Sequence, residues 1–168
     1  MFCFPMRPSV TTPWNTASMR ADEWAAEPKH DGRRVVVFVE PHRLGAWNRH
    51  GELLRLPTPV KQALLDLKVT AIFDGELVRQ TLHVFDGPLL GGDYTDRKLA
   101  LDKLIPNDVP YLTLVHEIPW TSPTEMYREA LLAGHEGIVF KRRSSAYLPG
   151  RHADDPTTEW VKLRRKAA

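Results

Sequence analysis

The sequence predicts an α+β fold in which largely antiparallel sheets are flanked by helices. Two observations lead there. Short β-branched or aromatic runs arrive in pairs and only sometimes alternate with helices, which argues against a parallel, doubly wound sheet. Three other stretches carry apolar residues at helical spacing. At 168 residues, 42% hydrophobic and 26% charged, the chain fits one ordinary globular domain. Folding at this size buries roughly 70% of the unfolded surface, enough for a proper core.

Residues 1–26 are rich in Pro, Thr and Ser without a sustained period, and are expected to be an irregular lead-in to a domain spanning 27–168. Strands are then predicted at RRVVVFVE (Arg33 to Glu40), LGAWNR (Leu44 to Arg49), VTAIFDGEL (Val69 to Leu77), QTLHVFD (Gln80 to Asp86), YLTLVHEI (Tyr111 to Ile118), GIVFKR (Gly137 to Arg142) and WVKLR (Trp160 to Arg164). Helices are predicted at PVKQALLDL (Pro59 to Leu67) and TDRKLALDKLI (Thr95 to Ile105), whose leucines recur at helical spacing. The third, SPTEMYREALLAG, is the best marked: Ser122 as cap, Pro123 at the first helical position, Glu125 completing a capping box and Gly134 ending it.

Several classes are excluded or disfavoured. Cys3 is the only cysteine, so neither an internal disulfide nor a cysteine zinc site can form. No apolar run approaches the roughly 18 residues of a membrane span, and the first ten residues lack the long apolar core of a secretory signal, so the expected setting is cytoplasmic, nucleoid-associated if bacterial or phage. The seven histidines show no metal-ligand spacing. The net charge is only +2, yet the stretch from Glu136 to Lys166 holds eight Lys/Arg against four Asp/Glu. A basic end on a balanced body is where phosphates dock, unless it is simply a solvated face.

The first site with chemistry in it is EPKHDGRR, Glu27 to Arg34. Lys29 and Asp31 stand two apart and share a face in extended chain. Lysine is a nucleophile only when neutral, and a free one with a pKa of ~10.4 is rarely so at neutral pH. Bringing that value to about 7 is worth ~4.6 kcal/mol, supplied by desolvation, neighbouring cations or a metal ion. Such a motif alone is weak, a hairpin turn with solvated charges being the plain alternative. Further pieces follow in order: WNRHG (Trp47 to Gly51), FDGEL (Phe73 to Leu77), HVFDG (His83 to Gly87), HEGIVFKRRSSAYLPGR (His135 to Arg151) and WVKLRRK (Trp160 to Lys166).

Together these resemble the ATP-dependent DNA ligases of the covalent nucleotidyltransferase superfamily, over roughly Glu27 to Lys166. The resemblance implies a nucleotide cleft between the sheets and an enzyme in which Lys29 attacks the α-phosphate of ATP and carries AMP through a P–N bond. It makes Arg34 and Arg49 phosphate-contacting arginines, with Arg33 a rival for the first role; a planar fork of donors suits phosphate oxygens. Glu76 becomes the ribose-binding carboxylate, Phe85 the aromatic that stacks on adenine, and Glu136 the carboxylate acting on Mg²⁺ (or Mn²⁺). Lys162 and Arg164 face the α-phosphate, Arg164 standing where lysine is commoner. Glu27 matches a glutamate that reads the adenine amino group in some relatives.

NAD-dependent ligases need an extra amino-terminal domain, and only 28 residues precede Lys29, so ATP is the expected nucleotide. The SAYLPGR run and the form of the motifs favour DNA ligases, especially the end-joining type, over RNA ligases and capping enzymes. The implied partner is nicked or broken duplex, with Arg142, Arg143, Arg165 and Lys166 expected along its phosphates. Too few residues follow Lys166 for the OB-fold domain of typical ligases, which leads us to expect a reduced enzyme, or one completed by a separate OB-fold or end-joining protein. The competing readings are an RNA ligase of the same superfamily and a non-catalytic module that binds nucleic-acid ends.

Overall fold

The computed structural model describes residues 3–150, 152 and 155–165. Two sheets lie at its centre. One has four strands in the order β1-β9-β8-β2, from β1 (Arg7–Val10), β2 (Trp24–Lys29), β8 (Gly137–Arg142) and β9 (Pro156–Arg164). The other has five in the order β4-β3-β5-β6-β7, from β3 (Arg33–Glu40), β4 (Arg43–Trp47), β5 (Ala71–Val78), β6 (Thr81–Asp86) and β7 (Leu112–Leu114). Pairing is antiparallel throughout except for β1 with β9 and β6 with β7. This is the α+β class that the paired runs predict.

Helices cover the outer faces. α2 (Thr58–Asp66) and the carboxyl half of α3 (Tyr94–Leu104) bury Val60, Leu64 and Leu101 in one cluster with Val35, Val37, Phe73 and Val84 of the five-stranded sheet. α4 (Pro123–Leu132) buries Met126 and Ala130 against Trp24, Ala26, Ile138 and Phe140 of the four-stranded sheet. In that layer a Phe140→Ala truncation removes a fully buried ring and costs about 3–5 kcal/mol. The inner faces meet through a third cluster, Met6, Tyr147 and Trp160 with Phe85 and Val139. The cleft opens beside this contact.

The lead-in is more structured than its composition suggests. Thr11 donates to the Lys162 carbonyl at 3.0 Å, continuing the parallel addition of β1 to β9, and α1 (Pro13–Thr16) follows. β2 itself begins at Trp24, inside the segment read as irregular. YLTLVHEI does not form one strand either: Leu112–Leu114 pair with β6, and Ile118 then donates to Ala26 of the other sheet at 2.7 Å. The run therefore crosses between sheets.

Capping follows the local chemistry with one exchange. Ser122 accepts from the Glu125 backbone N–H as expected, but the Glu125 carboxylate turns to the Ser122 hydroxyl instead of closing a capping box. The reciprocal box belongs to α3, between Asp93 and Asp96. Gly134, at φ +86°, ends α4 as a left-handed cap, with its own N–H on Leu131 and the next, His135, on Ala130. That turn delivers Glu136 to the start of β8.

Candidate active site

Register places the site residues in rows. Across β2, β8 and β9, paired residues on the inner face are Lys29, Gly137 and Arg164, then Glu27, Val139 and Lys162, then Ala25, Lys141 and Trp160. Across β3, β5 and β6 the facing row is Arg34, Glu76 and His83. Strands lie about 4.8 Å apart, so each row gathers residues distant in sequence within one cleft. Gly32 belongs to the same construction, because a Cβ there would meet the Leu77 carbonyl oxygen at 2.4 Å. The turn after Lys29 can thus lie directly on β5 beside Glu76.

The cleft has two parts. A narrow slot is lined by Glu27, Lys29, Phe85, Val139, Lys141 and Trp160, among others. A wider polar cleft is lined by Lys29, Asp31, Arg33, Arg49, Lys162 and Arg164, with Glu76 and Glu136. Lys29, Arg34 and Glu76 border both. The Lys29 amine is ion-paired to Glu136, whose other oxygen receives Arg164 at 3.4 Å. Burial opposes ionisation of Glu136, but the hydrogen bond and charge of Lys29, and then Arg164, outweigh it and hold the carboxyl below its usual range.

Lys162 is pulled down to about 8 by burial, then by the positive charges of Arg7, Arg164 and Lys29. Glu76 is raised, chiefly by burial, with Arg34 and Lys29 working against the rise. Asp31 and Arg33 are exposed at the mouth of the polar cleft. Arg49 is exposed there too, its Nε donating to His50 at 2.9 Å.

Arg34 is held otherwise than a free phosphate clamp. Its Nε and one terminal nitrogen each donate to Asp74 at 2.6 Å, the same nitrogen reaches the Met6 carbonyl at 2.9 Å, and the guanidinium lies 4.5 Å over the Phe85 ring. Phe85 meets Lys141 at 4.9 Å and the edge of Trp160 at 6.3 Å, so it is at once a slot wall and part of the inter-sheet contact.

Glu27 is buried, and three donors converge on it: Tyr94 at 2.8 Å, Lys98 at 2.9 Å and Lys141 at 2.7 Å. None of the three was legible as a site residue in the sequence. Nor was the meeting of His30, His83 and His135, whose rings lie 4.1 and 5.1 Å apart next to Lys29. Burial, then the two neighbouring rings, drop His30 to about 4, which leaves it neutral.

The basic residues do not form one track. Lys29 pairs with Gly137 and Trp24 with Arg142, so Arg142 lies about 17 Å along the sheet from the lysine end. There it pairs with Glu159 at 3.2 Å and stacks 4.6 Å over Trp24. Arg143 is held by Glu117 at 2.7 Å and the Ala21 carbonyl at 2.8 Å. Arg165 is exposed at the lysine end, and Lys166 lies outside the described residues. Among the described residues no group of three or more His, Cys, Asp or Glu side chains is arranged to hold a metal ion, and no helix is long and apolar enough to cross a membrane.

No family model matches the chain. It is 28% identical over 191 residues to a DNA ligase of Natronomonas pharaonis, covering 89% of this chain and 34% of that protein. It is 28% identical over 185 residues to the multifunctional non-homologous end joining DNA repair protein LigD of Mycobacterium tuberculosis, covering 94% of this chain and 24% of that one. A solved mycobacterial DNA ligase D complexed with ATP and MES superposes with a TM-score of 0.77 at 25% identity, over 96% of this chain and 60% of that chain. The chain thus spans about a quarter to a third of the length of these curated relatives. The curated relatives it is similar to are DNA ligases, and it shares the fold of the solved mycobacterial DNA ligase D.

Proposed function

We propose that this chain is the nucleotidyltransferase core of an ATP-dependent DNA ligase, taking AMP onto Lys29 and passing it to a 5′-phosphate at a break in duplex DNA. One observation carries the reading: Lys29 stands where a slot walled by Phe85, Val139 and Trp160 meets a cleft rimmed by Arg33, Arg49, Lys162 and Arg164. A base in the slot and phosphates in the cleft would put the α-phosphate at the Lys29 amine. A non-catalytic end-binding module has no use for a lysine at that junction.

In the reaction the Lys29 nitrogen gives up a proton and forms a bond to the α-phosphorus as the bond to the bridging oxygen breaks, and pyrophosphate leaves with the electron pair. Lys162 and Arg164 supply positive charge that is already in place when the phosphate's negative charge grows. Glu76, on the border of slot and cleft, is positioned for ribose hydroxyls. An oxygen of the DNA 5′-phosphate then attacks the phosphorus of the lysine-bound AMP, breaking the P–N bond and releasing the Lys29 amine, and a 3′-hydroxyl finally gives up its proton and displaces AMP to form the phosphodiester.

Glu136 fits a Mg²⁺ ion held in the usual way for nucleotide enzymes, by one carboxylate and phosphate oxygens in place of an all-protein cage. When bound, the ion would neutralise phosphate charge and compete with Lys29 for the Glu136 carboxylate. The experiment is incubation with ATP labelled at the α-phosphate and Mg²⁺, followed by denaturing electrophoresis. A covalent label on the chain is expected, and its absence rejects the reading.

A further inference from the structure

We propose that Tyr94 and Lys98 of α3 set the base specificity of the slot by holding Glu27 as a fixed acceptor that admits adenine and rejects guanine. This rests on the proposed function.

Helix α3 begins beside the four-stranded sheet, where the Tyr94 N–H donates to the Arg143 carbonyl at 3.1 Å, and its carboxyl end packs under the other sheet. Its first turn therefore reaches the back of the slot. Tyr94 and Lys98, four residues apart on one helix face, both donate to the same oxygen of Glu27, at 2.8 and 2.9 Å. Lys141 donates to the other oxygen at 2.7 Å and to the Phe85 carbonyl at 2.9 Å. A carboxylate has about four acceptor positions. Three are taken, and the one left is on the oxygen beside Lys141, in the slot wall.

The chemistry that fills that position is an N–H donor. Burial opposes the charge on Glu27, but Lys141 and then Lys98 outweigh it and keep the carboxyl below its usual range, so it accepts and does not donate. Adenine presents an amino group at its 6-position; guanine presents a carbonyl there, and two acceptors face to face in a dry slot leave both unsatisfied. Trp160, 1% exposed, closes the wall of the slot beside Lys141. Removing Lys98 leaves one oxygen with Tyr94 alone, so Glu27 is free to turn or to take up a proton, and a protonated carboxyl can donate to a guanine carbonyl.

The test measures kcat/KM for covalent labelling with ATP and with GTP in wild type, Tyr94→Phe, Lys98→Met and Lys98→Arg. Wild type is expected to prefer ATP strongly. Tyr94→Phe and Lys98→Met should lower the ATP-to-GTP ratio by about tenfold or more, through a higher KM for ATP and better use of GTP, and Lys98→Arg should restore most of it. A merely structural pair would lower labelling by both nucleotides equally. An unchanged ratio in variants that still label overturns the inference and leaves the proposed function standing. No label on wild type from any nucleotide overturns both.

Discussion

The amine of Lys29 is ion-paired to the carboxylate of Glu136, while the Glu136 N–H donates to the Lys29 carbonyl at 2.9 Å. The two residues are 107 apart in sequence; Lys29 ends β2 and Glu136 directly precedes Gly137, its partner at the start of the adjacent β8, so sheet pairing delivers the carboxylate to the nucleophile. Lys29→Ala should abolish covalent labelling while leaving the fold intact, because Glu136 keeps Arg164 and the lysine contributes little packing. Circular dichroism checks the fold and gel autoradiography the label. Wild-type labelling in this variant would remove Lys29 from its role.

Lys162 makes activity and stability respond to pH in opposite directions. Its folded value of about 8 lies below that of an ordinary lysine, so between about pH 8 and 10.4 the unfolded chain binds more protons than the folded one, and this group's contribution to stability rises with pH. Its usefulness as a cation beside the phosphate falls over the same range. Labelling rates should therefore show a descending limb near pH 8 that moves upward in Lys162→Arg. The melting-temperature difference between Lys162→Met and wild type should shift in wild type's favour as pH rises. A descending limb unmoved by the arginine would assign it to another group.

The antiparallel core and the motif residues were largely legible in the sequence, and the long-range partners were not. β3 and β8 are found at their predicted bounds because each is a β-branched or aromatic run that its neighbours bury. β1 escaped because RPSV carries no period and gains its order by pairing with β9, about 150 residues away. Glu27 stood out, but Tyr94, Lys98 and Lys141 did not, since only tertiary packing brings α3 and β8 around it. The same is true of Asp74: FDGEL drew attention to Glu76, and the aspartate that grips Arg34 looked like part of the frame.

That grip has a measurable cost of removal. Asp74 is fully buried and receives Arg34 twice at 2.6 Å and the Tyr147 hydroxyl at 2.6 Å. Asp74→Ala leaves a largely buried guanidinium without its counter-charge and should destabilise the chain by about 3–5 kcal/mol in denaturant unfolding. Arg49→Ala, at an exposed residue, should leave stability within about 0.5 kcal/mol of wild type. Equal losses in the two variants would contradict the division of labour between the arginines.

If phosphates of DNA dock at the lysine end, the salt response should be local. Arg164 is 45% exposed at the cleft, whereas Arg143 is held by Glu117 and Ala21 at the other end of the sheet. Arg164→Ala should reduce the slope of log affinity for nicked duplex against log salt by about 1. Arg143→Ala should leave that slope unchanged. The reverse pattern would move the DNA path to the far end of the sheet.

Phe85 provides the last test, because the ring has work in the protein before any nucleotide arrives. Arg34 lies 4.5 Å and Lys141 4.9 Å from its centre, and Trp160 meets it edge-on. A base entering the slot must share or take over a face now used by a cation. Base-on-ring stacking contributes about 1–3 kcal/mol, against about 0.5–2 kcal/mol for a cation over the ring, so the exchange is close to balanced and the gain in affinity sits at the low end of the stacking range. Phe85→Ala should weaken ATP binding by about 1 kcal/mol, whereas Phe85→Trp, with a larger face, should keep or improve it. Calorimetric titration of ATP into each variant measures this. An unchanged dissociation constant in Phe85→Ala would return the ring to its other role, the contact with Trp160 that joins the two sheets.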